Sequence, residues 1–187
     1  MDKRILPPSD ILRKLLRYEP HSGKMFWLHR GVEHFTSTIA RSAEHTQKLW
    51  NMRYAGAEAF TSLNTTGYLQ GSIQSKLYVA HHIAWSIYHG KQAEEEIDHI
   101  DGDRANNRIL NLRAATRSEN QHNKRIYRNN TSQFKGVSWM ARERLWRARI
   151  GIDGKRKRLG DFPTIEEAAE AYAKASAELH GAFSRLR

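Results

Sequence analysis

Between Asp98 and Asn123 the chain gathers Asp98, His99, Asp101, Asp103, Asn106, Asn107, Asn111, Asn120, His122 and Asn123. Packing alone does not call for so many oxygen and imidazole groups. Such a set could hold a divalent ion and move a proton, or it could be a polar loop whose Asp and Asn residues make turns and caps. The order of the residues favours chemistry. Asp98-His99 closes an apolar, strand-like run, and Asn120 falls in the first turn of a later helix, so a strand-loop-strand-helix unit could bring them to one metal. Neighbours on an ideal strand face opposite ways, so Asp98 and His99 converge only if the strand ends or bends there. The breaker Asp101-Gly102-Asp103 supplies that bend.

The surrounding elements follow from periodicity. Ile11, Leu12, Leu15 and Leu16 behind Ser9-Asp10 have the spacing of a short amphipathic helix with a Ser/Asp cap. Residues 24–29, 67–73 and 76–80 predict strands, the last two forming a hairpin about Gln74-Ser75. Ile83, Ala84, Trp85, Ile87 and Tyr88 predict a helix ended by His89-Gly90, and residues 96–100 and 111–115 return to strand. Thr116 with Glu119 makes a capping box that opens a helix over 116–126. Residues 30–62 show no clear period and receive no assignment. Trp27, Trp50 and Trp85 are taken as core.

Composition narrows the function classes. Of 187 residues, 31 are Lys or Arg and 20 Asp or Glu, a formal net charge of +11, which points to a polyanionic partner. There is no cysteine, so disulfides, thiol catalysis and cysteine-ligated zinc are excluded. Any metal must sit on His, Asp, Asn or Glu. Met1 to Asp10 lack the apolar core of a signal peptide, and no run approaches the ~18 apolar residues of a membrane span. The expectation is a soluble, cytoplasmic protein with no membrane partner.

Charge is uneven: residues 124–187 carry fifteen Lys/Arg and seven Asp/Glu, a net +8 of the total. Polar residues 128–133 read as a linker. Beyond it, residues 134–139, 145–150 and 156–162 predict three strands, with Asp153-Gly154 as a hairpin turn. A helix starts at Thr164, boxed by Glu167 and closed by Gly181. Its alanines let it lie close to one sheet face. Arg147, Arg149, Arg156 and Arg158 alternate onto the other face, as a β-sheet reader of DNA requires; a merely solvated basic face is the plainer alternative.

Three strings in the first part resemble the HNH nucleases with a ββα-metal fold, in their phage and intron-encoded homing branch. They are Ile97-Asp98-His99-Ile100-Asp101-Gly102-Asp103, then residues 106–113, then Thr116-Arg117-Ser118-Glu119-Asn120-Gln121-His122-Asn123. Residues 18–27 and Ala80-His81-His82-Ile83-Ala84-Trp85 are similar to that family's N-terminal region. The resemblance covers roughly residues 10–125. It implies His99 as general base, Asp98 and Asn120 as ligands of one divalent ion, and Asn111 as a brace for the loop between the strands. His81, Asn107 and Asn123 are auxiliary candidates. Asn120 stands where the family more often has His, so the ligand set is oxygen-rich and suits Mg2+ or Mn2+ better than zinc. His82 departs from the arginine common in relatives, which puts a phosphate contact there in doubt. Asp101 and Asp103 are either partners of His99 or turn residues, with turns favoured.

The basic module resembles the plant Apetala (ethylene-response) DNA-binding domain, through Gly136-Val137, Trp146-Arg147-Ala148-Arg149-Ile150, Leu159-Gly160-Asp161-Phe162, residues 166–172 and His180-Gly181. That resemblance places Lys135, Arg149, Arg156 and Arg158 at DNA-contacting positions. Ser138 and Arg158 replace an arginine and a tryptophan, so the plant recognition sequence is not expected.

The expected fold class is therefore α+β: a ββα-metal (His-Me finger) nuclease module with a β-rich N-terminal region, plus a three-stranded antiparallel sheet packed on one helix. The expected domains are 1–127, with the ββα core at about 94–127, a linker at 128–133, and 134–187. The expected function is metal-dependent, site-specific cleavage of double-stranded DNA by a monomer or weak dimer with no evident protein partner. One HNH site per chain favours nicking. The alternatives are a catalytically inactive DNA-binding protein, regulatory or packaging, and an RNA-binding protein.

Overall fold

The structure, a computed structural model, describes residues 5–123, 126, 130–152, 154–184 and 186. It is a mixed α and β protein with small sheets, in two compact units, residues 1–114 and 115–187.

The first unit opens with helix α1 (Ser9–Leu15), which buries Leu12 and Leu15. Each such leucine contributes about 2 kcal/mol by leaving water. The expected Ser/Asp cap is corrected: Pro8 is the N-cap residue with no side-chain cap bond, and the Ser9 hydroxyl donates instead to Gly90 O at 2.8 Å. Strands β1 (Leu16–Glu19) and β2 (Lys24–Trp27) follow as an antiparallel hairpin. Helix α2 (Ala43–Tyr54), capped by the Ser42 side chain, lies in the segment left unassigned from sequence. It buries none of its residues, which is why hydrophobic periodicity did not reveal it. Instead Arg30 sits 3.9 Å from the Trp50 ring and 4.9 Å from Trp27. Trp27 and Trp85 pack against the core, whereas Trp50 belongs to this aromatic cluster at the unit's side.

Strand β3 (Glu58–Ala59) then joins β2, and β4 (Ser62–Leu63), β5 (Leu69–Ile73) and β6 (Lys76–Val79) form a second antiparallel sheet. Gln74 and Ser75 both have positive φ, the backbone a tight two-residue hairpin needs. Helix α3 (Ala80–His89) buries Ala80, His81, Ile83, Ala84, Ser86 and Ile87 and ends at Gly90, φ 74°. Arg13 donates two hydrogen bonds to Ile87 O in its last turn. Strands β7 (Glu96–His99) and β8 (Leu112–Ala115) pair as a two-stranded sheet.

The second unit begins with helix α4 (Arg117–His122), where the expected Thr116–Glu119 capping box is complete; the helix stops at His122, short of residue 126. Its sheet runs β9 (Val137–Met140), β10 (Leu145–Ile152) and β11 (Lys155–Phe162), antiparallel, with β10 in the middle. Helix α5 (Ile165–His180) covers one face, Ala168, Ala169, Ala171 and Tyr172 meeting Val137, Ala148 and Trp146. Gly136 has φ 66° and any side chain there would strike Arg149 O and the Tyr172 ring. The expected boundary near residue 130 differs from the division after Ala114. Lys135 Nζ donates to His122 O at 2.9 Å and the His122 ring stacks on His180, which ties α4 to this unit. Within residues 130–133, Ser132 Oγ donates to Val137 O at 2.8 Å and Asn130 Nδ2 to Phe134 O at 3.0 Å. Residues 128, 129 and Asp153 of the expected linker and turn lie outside the described residues.

Candidate active site

His99 ends β7 with its ring buried, 3% exposed. Its Nε2 faces Asn107 Oδ1 at 3.3 Å. Asn107 is itself buried and its Nδ2 donates to Ala105 O, so Oδ1 is the end turned toward the imidazole. An acceptor there requires the proton on Nε2. The lone pair is then on Nδ1, the nitrogen a general base would use. Burial lowers the His99 pKa, against the Asn107 bond and the charges of Asp101, Asp98 and Asp103, which raise it.

The segment around Asn107 is held from the β1–β2 turn. Tyr18 donates to Asn107 O at 2.7 Å, and Ile109 N donates to Pro20 O at 3.0 Å. Gly23, φ 76°, lies so close to the Asn107–Arg108 backbone that a Cβ would clash with it. The string 18–27 thus serves as a buttress for the loop that orients His99.

Asn111 spans the same loop. Its Nδ2 donates to Asp101 Oδ1 at 2.9 Å and to Asn106 O at 2.8 Å, and its Oδ1 accepts from Asp101 N at 3.1 Å. Asp101 also accepts from Asn106 and from Asp103 N, and Asp103 from Ala105 N. Both aspartates are turn residues of this loop. Burial raises the Asp101 carboxyl, but the bonds from Asn106, Asp103 and Asn111 outweigh it, leaving its pKa below the ordinary value.

Asp98 is buried beside His99 in sequence and accepts from Arg113 on β8, Nε at 2.9 Å and Nη2 at 2.7 Å, both to Oδ2. Nothing in the sequence pattern singled out Arg113; its signal is an opposite charge on the neighbouring strand. His81 of α3 is packed edge-on to His99, ring centroids 5.0 Å apart, with Tyr68 4.9 Å and His82 4.5 Å away. Its Nδ1 is sealed and has no hydrogen-bond partner among the described residues. Burial first, then neighbouring His82 and His99, hold the His81 pKa well below its ordinary value, so the ring is neutral.

Asp98, His99, Asn107, Asn111 and His81 lie in the first unit; Asn120 and Asn123 lie in the second, Asn120 on α4 and Asn123 buried at its C-cap. Among the described residues no group of three His, Asp or Glu side chains is gathered as a metal site. The oxygen of a carboxylate and of a carboxamide, as on Asp98 and Asn120, is nevertheless the donor type that Mg2+ and Mn2+ take.

On the C-terminal sheet the cross-strand pairs Arg147–Asp161, Arg149–Arg158 and Gly151–Arg156 place all four arginines on the face away from α5. A bulge at Leu159 brings Asp161 onto that face too. Asp161 accepts from Arg147 Nε and Nη2, at 2.6 and 2.8 Å, and from Arg158. Arg147 and Arg158 are thus clamped on one carboxylate, and Lys135 is bonded to His122 O. Arg156 stays exposed and Arg149 half-buried.

The HNH endonuclease family matches residues 78–122. Protein 3.8 of Escherichia phage T7 is 38% identical over 91 residues, 49% of this chain and 74% of that protein. A protein of Acanthamoeba polyphaga mimivirus, named as an uncharacterized HNH endonuclease, is 32% identical over 123 residues, 65% of this chain and 63% of its own length. No solved structure matches. The matched segment runs from β6 to the end of α4 and contains the buried His99–Asn107 pair, Asp98, Asn111 and Asn120, so this part of the chain carries an HNH endonuclease domain.

Proposed function

We propose that this protein is a metal-dependent, site-specific DNA endonuclease of the phage or mobile-element homing type. The observation that carries the reading is the buried His99 whose Nε2–H is fixed by Asn107, inside the HNH-matching segment. Phosphodiester hydrolysis needs a base for the proton of the attacking water and positive charge for the oxygens that gain electrons. His99 Nδ1 takes the proton. A divalent ion, Mg2+ or Mn2+, supplies the charge, with Asp98 and Asn120 as the residues that would hold it. Asn111 keeps the connecting loop in shape, and Asn123 sits one turn from Asn120. The C-terminal sheet, through Arg149 and Arg156 and an Apetala-like arrangement, holds duplex DNA and contributes site choice. One such site per chain cuts one strand, so the monomer nicks.

A second reading is a DNA-binding protein that does not cut. What favours it is Arg113, which already occupies Asp98 Oδ2. One experiment separates the two: supercoiled DNA incubated with the full chain and Mg2+ or Mn2+, against EDTA and the His99→Ala variant. Nicked product that needs metal and disappears in the variant supports the endonuclease. Tight binding with no product on any cognate-containing DNA supports the second reading.

A further inference from the structure

Beside His99 lies an arginine that the roles assigned so far leave unused. Tyr68 packs its ring against His81 at 4.9 Å and against His99 at 5.8 Å. The Arg104 guanidinium lies over the same tyrosine, 5.0 Å from the ring centroid, and its Nη1 donates to Thr66 O at 2.7 Å. The turn that carries both contacts is cross-braced: Asn64 Oδ1 accepts from Thr66 N, Thr66 Oγ1 and Tyr68 N. Among the described residues Arg104 makes no ion pair, although Asp101 and Asp103 share its loop. It is exposed, while Tyr68 is half-buried.

An arginine pinned by a ring and a carbonyl, with no carboxylate, has its remaining N–H donors set in place for an anion from outside. Pinning matters, since most of the entropy of ordering a long side chain is then spent in folding and not in binding. The planar fork suits a phosphate, which it can bind through two N–H groups.

We propose that Arg104, held by Tyr68, binds a backbone phosphate of the DNA strand being cut, next to the scissile one. The inference rests on the endonuclease reading, which supplies the substrate. One ring separates the guanidinium from His99, so a strand that passes the base offers Arg104 a neighbouring phosphate. Tyr68 thereby serves two ends: it walls the base and carries the cation that registers the substrate against it. Arg104 is a substrate-positioning contact; it takes no part in proton transfer.

The test uses the full chain on a duplex containing its mapped cut site, with Arg104→Ala, Arg104→Lys, Tyr68→Phe and Tyr68→Ala. Arg104→Ala is expected to raise KM roughly tenfold or more and to lower the slope of log binding against log salt by about one, the signature of one lost phosphate contact. Arg104→Lys keeps the slope but not the full KM. Tyr68→Phe keeps the ring under Arg104 and so keeps the wild-type salt slope, and Tyr68→Ala follows Arg104→Ala in that slope. A neutral methylphosphonate beside the cut position weakens the wild type and leaves Arg104→Ala unaffected. Wild-type KM and salt slope in Arg104→Ala would overturn the proposal. If the wild-type chain binds but cuts nothing, the endonuclease reading fails separately, and the salt slopes of the same variants still decide whether Arg104 holds a phosphate.

Discussion

His99 Nε2 and Asn107 Oδ1 face each other at 3.3 Å inside the first unit, and the remaining amide group of Asn107 is committed to Ala105 O. The carboxamide therefore both chooses the tautomer of the imidazole and stops its ring from turning. Asn107→Ala removes the acceptor and leaves a buried N–H unmet, which costs about 1–3 kcal/mol. It also lets Nδ1 swing from its position. The expected result is lower urea stability together with a fall in single-turnover cleavage of roughly tenfold or more, at nearly unchanged DNA affinity. Equal cleavage by Asn107→Ala would remove Asn107 from the machinery.

Asp98 and Arg113 form a second buried relationship, across β7 and β8. Removing one member of such a pair strands the other charge in a dry site. Arg113→Met is expected to lower unfolding free energy by about 3 kcal/mol. Asp98→Asn combined with Arg113→Met should be less damaging than the sum of the two, because each single change already destroys the same contact. Additive losses in a double-mutant cycle would show that the pair is not coupled.

These two pairs mark the limit of what sequence alone discloses here. Local rules were legible: Gln74-Ser75 needs a tight turn, Gly90 ends a helix, and Thr116 with Glu119 caps one, each within a few residues of chain. The partners of Arg113 and of Asn107, the latter named only as an auxiliary candidate, were not, because they are set by how the loop folds back and by strand pairing. The same holds for Asp161, whose side is decided by one extra residue at Leu159; the adjacent Gly160 within a strand is the faint signal of that irregularity. Helix α2 was hidden for a different reason. It is anchored by Arg30, Trp27 and Trp50 rather than by a buried apolar stripe, so period counting had nothing to find.

Asp161 limits the positive charge on the arginine face of the C-terminal sheet, the face proposed above to hold DNA. Asp161→Asn releases Arg147 and Arg158, so duplex binding at fixed salt should tighten and its salt dependence steepen. The unit should lose stability in the same variant. Hydrogen bonds from Arg147, then its charge and that of Arg158, hold the Asp161 carboxyl below its ordinary value. A carboxyl with a depressed folded pKa stabilises the fold fully above its unfolded value, near 3.9, and that contribution is lost as pH falls through the lower folded value. Acid titration of the wild type should therefore show a loss of second-unit stability below about pH 4 that Asp161→Asn lacks. Identical acid profiles for the two proteins would contradict the clamp.

Helix α4 has six residues, too few to persist in water without packing. Within its unit the packing is specific: the His122 ring lies 3.6 Å from that of His180, 16° from parallel, and Lys135 Nζ holds the last-turn carbonyl. His180→Ala removes the stacked ring while leaving the capping box and the sheet intact. An aromatic contact of this kind is worth about 0.5–1.5 kcal/mol, so amide exchange in residues 117–122 should accelerate roughly twofold to tenfold. Amides in the middle of β10 should keep their wild-type protection, because Ala148 and Ile150 remain buried. Asn120 rides on this helix, so a cleavage defect is expected to accompany the faster exchange. Unchanged exchange across 117–122 would mean that the histidine stack does not hold α4.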